Sequence, residues 1–206
     1  MPYVIDVKDV LDKRKKLPTE AFFVDTNIII FFKDPFGLAG TKANLKETIE
    51  TIQESIDYLK SIAKTYSTLS VAQEYYKHIQ HNTVKFYKNK FEIDGSKASD
   101  FKSLRKNNPG FQEEWQLRIK DFKKIFRKNF EIYNSQINPV EAINSFDQNN
   151  VDLGDWLLYK TVMSCDDKMK CIFTDDADFY SLPGEFYLLT ANQKILELAI
   201  NDRKLQ

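Results

Sequence analysis

Acidic side chains placed at the ends of apolar runs are the residues of this chain best suited to chemistry. Asp25 follows Ala21-Phe22-Phe23-Val24, inside a run that stays apolar to Phe32 and is interrupted by Asp25 and Asn27. Asp175, Asp176 and Asp178 follow a second apolar stretch, Cys171-Ile172-Phe173-Thr174. Both stretches read as strands buried on two faces. A carboxylate buried among such residues costs several kcal/mol unless a cation or hydrogen-bond donors meet it. The least costly position is the carboxyl end of a strand, where parallel α/β sheets open their ligand crevice. The plain alternative is a strand and a turn that Asp25 and Asn27 only hydrogen-bond.

Further acids are expected where helices begin. Ser70-Val71-Ala72-Gln73 matches the capping-box pattern, which predicts a helix starting at Ser70 with Glu74 in its first turn. Asp152-Leu153-Gly154-Asp155-Trp156 opens another, with Asp152 read first as its N-cap and second as a ligand. In alternating α/β chains, helix N-termini lie at the same edge as strand carboxyl ends, so these acids converge on one pocket. Carboxylates crowded together raise one another's pKa unless a divalent cation binds. Oxygen-only donors select hard ions, Mg²⁺ or Mn²⁺. An ion so held, with its waters, suits phosphodiester hydrolysis. No Walker loop, glycine-rich dinucleotide loop, Ser/His/Asp order or zinc spacing competes.

The elements that must position these acids alternate. Val4 to Lys16 reads as a short charged helix or an extended lead-in, and 21–25 as the central strand. Asp34 to Gly40 is a loop; Asn44 to about Ala63 is an amphipathic helix, and Thr65 to Leu69 a short strand. Asp94-Gly95-Ser96 and Asn107-Asn108-Pro109-Gly110 mark turns, and Phe111 to Phe130 is a helix. Asn134 to Asn150 is polar and loop-like, Phe186 to Leu189 a third buried strand, and Asn192 to Ile200 the last helix. Strands separated by helices, with no two-residue hairpin, predict an α/β fold with a parallel sheet.

The chain has 206 residues, thirty basic and thirty acidic, so its net charge points to no partner. Its 42% apolar content supports one domain spanning 1–206, with 81–150 read as a helical insertion within it. Two cysteines, an N-terminus without a signal-like apolar core and no run long enough to span a membrane predict a soluble, cytoplasmic protein. From Lys85 to Lys128 there are thirteen Lys/Arg against six acids, and Lys123, Lys124, Arg127 and Lys128 are candidate phosphate contacts. A solvated helical face explains such a run equally well.

The blocks Val-Asp-Thr-Asn-Ile (24–28), Ser-Val-Ala-Gln-Glu (70–74), Asp-Leu-Gly-Asp-Trp (152–156) and Ile-Phe-Thr-Asp-Asp-Ala-Asp-Phe (172–179) resemble those of PIN-domain nucleases, in order and in placement. The resemblance covers roughly 20–80 and 150–192 and leaves out the segment between. It implies a three-layer, parallel-sheet fold and a ribonuclease that cuts RNA with Mg²⁺ or Mn²⁺. By motif position Asp25, Glu74, Asp155 and Asp176 become the catalytic metal ligands, with Asp178 auxiliary and Asp152 an addition. Thr26, Asn27 and Thr174 become the residues that orient the first aspartate or a phosphate. Many small PIN proteins are toxins held by an antitoxin, so a protein partner of that kind, and self-association into a homodimer, are further expectations. A structure-specific DNA nuclease and a non-catalytic RNA-binding or assembly module are the rival readings.

Overall fold

The computed structural model describes residues 1–33, 43–91, 101–146 and 151–206. Six strands form one sheet: β1 (Tyr3–Asp6), β2 (Ala21–Val24), β3 (Lys64–Ser67), β4 (Glu131–Ile132), β5 (Cys171–Phe173) and β6 (Tyr187–Thr190). Their order is β1-β6-β5-β2-β3-β4, and every neighbouring pair is parallel. The helices among the described residues are α1 (Val7–Leu11), α2 (Thr26–Lys33), α3 (Ala43–Ile62), α4 (Leu69–Lys90), α5 (Phe101–Asn107), α6 (Pro109–Asn129), α7 (Pro139–Asn144), α8 (Leu153–Met163) and α9 (Gln193–Asn201). The α/β class and the parallel sheet expected from the sequence are therefore present.

The central strands show no alternation because both of their faces are covered: all four residues of β2 and all three of β5 are buried. Phe22 packs edge-on against Phe173 and Phe23 edge-on against Tyr133, while Phe23 and Tyr66 meet at a tilt. Crossovers between parallel strands are right-handed almost without exception. That hand puts the β1–β2, β2–β3 and β3–β4 connections on one face and the β4–β5 connection, with α8, on the other. The packing agrees, with α3 against α1 and α2, α4 against α6, and α8 against β5. The arrangement is a three-layer α/β sandwich. Among the described residues no helix is long and apolar enough to cross a membrane.

Several boundaries differ from the sequence expectation. The apolar run 21–32 is a strand only to Val24; Thr26–Lys33 is helical, burying Ile28, Ile29 and Phe32 on one face. The N-terminal segment is both a strand and a helix, since β1 pairs with β6 at the sheet edge and Asp6 caps α1. Helix α4 starts at Leu69 rather than Ser70, because Thr68 is extended as it leaves β3 and its Oγ1 accepts from the Val71 N–H. Ser70 Oγ instead hydrogen-bonds Thr68 Oγ1. The expected turn at 107–110 is a one-residue joint, with Asn108 capping α6 and Pro109 in its first turn. The polar stretch after Asn134 contains α7, capped by Asn138. The turn signals at 34–40 and 94–96 lie outside the described residues.

The segment 81–150 begins inside α4 and includes α5, α6, β4 and α7. Aromatic rings bind it to the rest, since Tyr75 stacks on Phe122 and Tyr76 meets Trp115 edge-on, while Tyr87 and Phe111 pack within it. Trp115 and Phe126 are buried.

Candidate active site

The strand order reverses at β2. The chain leaves β2 towards β3 on one side, while β5, on the other, leads outward to β6. The crevice outside the carboxyl ends of β2 and β5 is thus a topological switch point, where open parallel sheets bind ligands. Val24 is in register with Phe173, which sets Asp25 and Thr174 side by side at that crevice.

Asp25 is only 3% exposed, and three donors meet its carboxylate. The Thr26 N–H donates to Oδ1 (2.6 Å), while Asn27 Nδ2 (2.8 Å) and Thr174 Oγ1 (2.8 Å) donate to Oδ2. Burial nevertheless pushes the Asp25 carboxyl up to about 7, with the charges of Glu74 and Asp176 adding to the rise and the bonds from Thr174 and Thr26 opposing it.

Glu74 reaches the same crevice from the second turn of α4, not the first, and Thr26 Oγ1 donates to its Oε2 (2.8 Å). Burial raises its pKa, and Asp152 and Asp176 raise it further. Asp155 lies in the first turn of α8, where its own N–H donates to Oδ1 of the N-cap Asp152 (3.1 Å). It is 8% exposed. Burial first, then the charges of Asp25, Asp152, Asp176 and Glu74, push it up to about 8.

Asp176 is fixed by Thr174, whose Oγ1 accepts from the Asp176 N–H (2.9 Å). Its own Oδ1 accepts from the Asp178 N–H and caps the short 3-10 turn Ala177–Ser181. Asp178 is exposed at the rim; partial burial and Asp176 raise its pKa. The structure thus brings Asp25, Glu74, Asp155 and Asp176 into one electrostatic field, with Asp152 beside it and Thr26, Asn27 and Thr174 tying its parts together. Asp175, the intervening acid, has its N–H on Asn27 Oδ1 (3.2 Å) and its carbonyl on Asn192 Nδ2 (2.7 Å). Its Oδ1 is buried without a hydrogen-bond partner, and burial pushes the group up to about 6.

Among the described residues no three carboxylate, imidazole or thiol groups are drawn in closely enough to hold an ion as they stand. The donor chemistry of the crevice nevertheless fits a hard divalent cation. Its charged donors are carboxylate oxygens, at least two of them on groups whose ionised form is disfavoured until a positive charge arrives.

Sequence reasoning overlooked three neighbours of this cluster. Lys77 faces Glu74 along α4, Lys194 faces Asp178 from α9, and Asn192 ties the Asp175 loop to α9. Lys77 was readable as the residue three positions after Glu74 on a helix; the other two depend on tertiary placement. The basic quartet lies elsewhere. Lys123, Lys124, Arg127 and Lys128 are exposed on the last turns of α6, which lead into the amino end of β4. Arg127 and Lys128 line a groove of about 540 Å³ with Lys60, Lys64 and Glu20, at the sheet edge opposite the acids. No family model, curated protein or solved structure matches the chain.

Proposed function

We propose that the chain is a divalent-metal-dependent nuclease that hydrolyses RNA phosphodiester bonds, with Asp25, Glu74, Asp155 and Asp176 as its working carboxylates. The observation carrying this reading is their convergence at the β2/β5 switch point, where burial and mutual repulsion keep Asp25 and Asp155 titrating far above ordinary carboxylates. The resemblance of the four sequence blocks to PIN-domain nucleases supports the same residues and favours RNA.

Asp25, Glu74, Asp155 and Asp176 would hold Mg²⁺ or Mn²⁺, with Asp152 and Asp178 at the margin. The bound ion would activate a water and neutralise charge developing on the phosphate. The chain's own contribution is orientation. Thr174 and Asn27 fix the Asp25 Oδ2, Thr26 fixes Glu74, and the cap at Asp152 sets the direction of Asp155. The proton on Asp155 at neutral pH must leave before that carboxylate can bind an ion, so occupancy rises with pH.

Cleavage of a panel of single-stranded RNA and DNA with Mg²⁺ or Mn²⁺ tests the proposal. Metal-dependent RNA cuts, lost in Asp25→Asn, are expected. Cuts in DNA alone would move the function to a DNA nuclease, and turnover that survives Asp25→Asn would overturn the assignment of the site.

A further inference from the structure

Between α4 and α8 a groove of about 300 Å³ opens from the acidic crevice and shares Glu74 with it. Gln73, Glu74 and Lys77 line one wall, and Leu153, Gly154 and Leu157 the other. Gly154 keeps the two helices in close approach, since a Cβ there would stand 3.3 Å from Glu74 Oε2 and 3.2 Å from Asp152 Oδ1. Leu153 is 43% exposed, so an apolar surface borders directly on the acids.

The two long polar side chains of the α4 wall are not tied down at close range, although the charge of Lys77 acts on Glu74. Among the described residues, neither the Gln73 amide nor the Lys77 ammonium takes part in a hydrogen bond or ion pair. Lys77 is exposed and, among the described residues, is the one cation lining the groove. A phosphate approaching Glu74 and Asp152 is repelled by both, and Lys77 is the groove side chain whose charge offsets that repulsion. The volume is at the low end for ligand sites. One nucleotide is of about that size, and a base that meets side chains by its face and edge is unpaired.

We propose that this groove seats the nucleotide next to the scissile phosphate of a single-stranded RNA. The Lys77 ammonium meets a backbone phosphate, the Gln73 amide meets the base edge, and the base lies against Leu153 and Leu157. This inference rests on the nuclease reading of the neighbouring acids and adds a groove with two positioning residues to it.

The test is fluorescence anisotropy of a labelled single-stranded octaribonucleotide with Mg²⁺, on an Asp25→Asn background that halts turnover. Adding Lys77→Gln should weaken binding roughly 3–10-fold and lower the salt slope by about one ion. Lys77→Arg should restore both. Gln73→Ala should weaken binding without changing the slope, whereas Lys46→Gln, remote on α3, should leave both unchanged. The same sequence as a duplex should bind weakly and ignore Lys77→Gln. Equal affinity and slope with and without Lys77→Gln overturns the groove, as does an octaribonucleotide that binds none of these forms. The expected binding pattern, in a protein whose wild type cuts no RNA, would uphold the groove and refute the catalytic reading.

Discussion

At the scale of single residues, Thr174 is the one on which most of the crevice depends. Its hydroxyl donates to Asp25 Oδ2, accepts from the Asp176 N–H and lies 3.3 Å from Asn27 Nδ2. One side chain thereby joins the acid after β2 to the acid after β5. Thr174→Val keeps the volume and removes every one of these bonds. The expected result is a loss of about 1–3 kcal/mol in denaturant melts and a fall in RNA cleavage of roughly 10–100-fold. Unchanged stability and rate would mean that the two acids are placed by the backbone alone. Asp25 was legible in the sequence because an apolar run leaves a carboxylate nowhere inexpensive to go. Thr174 was named only through the family resemblance; by itself a threonine at the end of a strand is ordinary until the partner strand is known.

At the scale of elements, helix starts deliver two of the four acids, and caps decide where the starts fall. Thr68 and Ser70 both suit the N-cap of α4, and Ser70 completes a capping box. Thr68 wins because it is already extended at the end of β3. The shift carries Glu74 from the first turn into the second, a change that spacing alone could not disclose. For α8 the sequence was sufficient, and Asp152 is the cap. Asp152→Asn preserves capping, so melting temperature should hold and cleavage should stay within several-fold. Asp155→Asn should abolish cleavage while the fold persists. Equal loss from both substitutions would make Asp152 a ligand in its own right. Strand β4 and helix α7 were hidden for another reason: two and six residues are too few to show a period. Strand β1, four residues at the sheet edge, was legible only as an alternative.

At the scale of the molecule, a net charge of zero conceals an asymmetry. The carboxylates gather at the carboxyl edge of the sheet, and Lys60, Lys64, Arg127 and Lys128 gather at the opposite edge. The α/β class and the parallel sheet were legible because strands and helices alternate in the sequence. The separation of the two charged regions was not, since it depends on the direction in which α6 crosses the sheet. The same crowding of acids makes stability depend on pH. The folded state holds protons on Asp25 and Asp155 that the unfolded chain releases near pH 4, so stability without metal falls as pH rises from there through about 7 and 8. A bound divalent ion replaces those protons and should stabilise the fold most at the alkaline end.

The most direct measurement is therefore the melting temperature of wild type and Asp25→Asn between pH 5 and 9, in chelator and in Mn²⁺. In chelator the wild type should lose stability as pH rises, and Mn²⁺ should restore it by an increment that grows with pH. Asp25→Asn should show a shallower decline and little response to the ion. An equal Mn²⁺ response in both proteins, or none in the wild type at pH 8, would contradict a metal centre at the β2/β5 crevice.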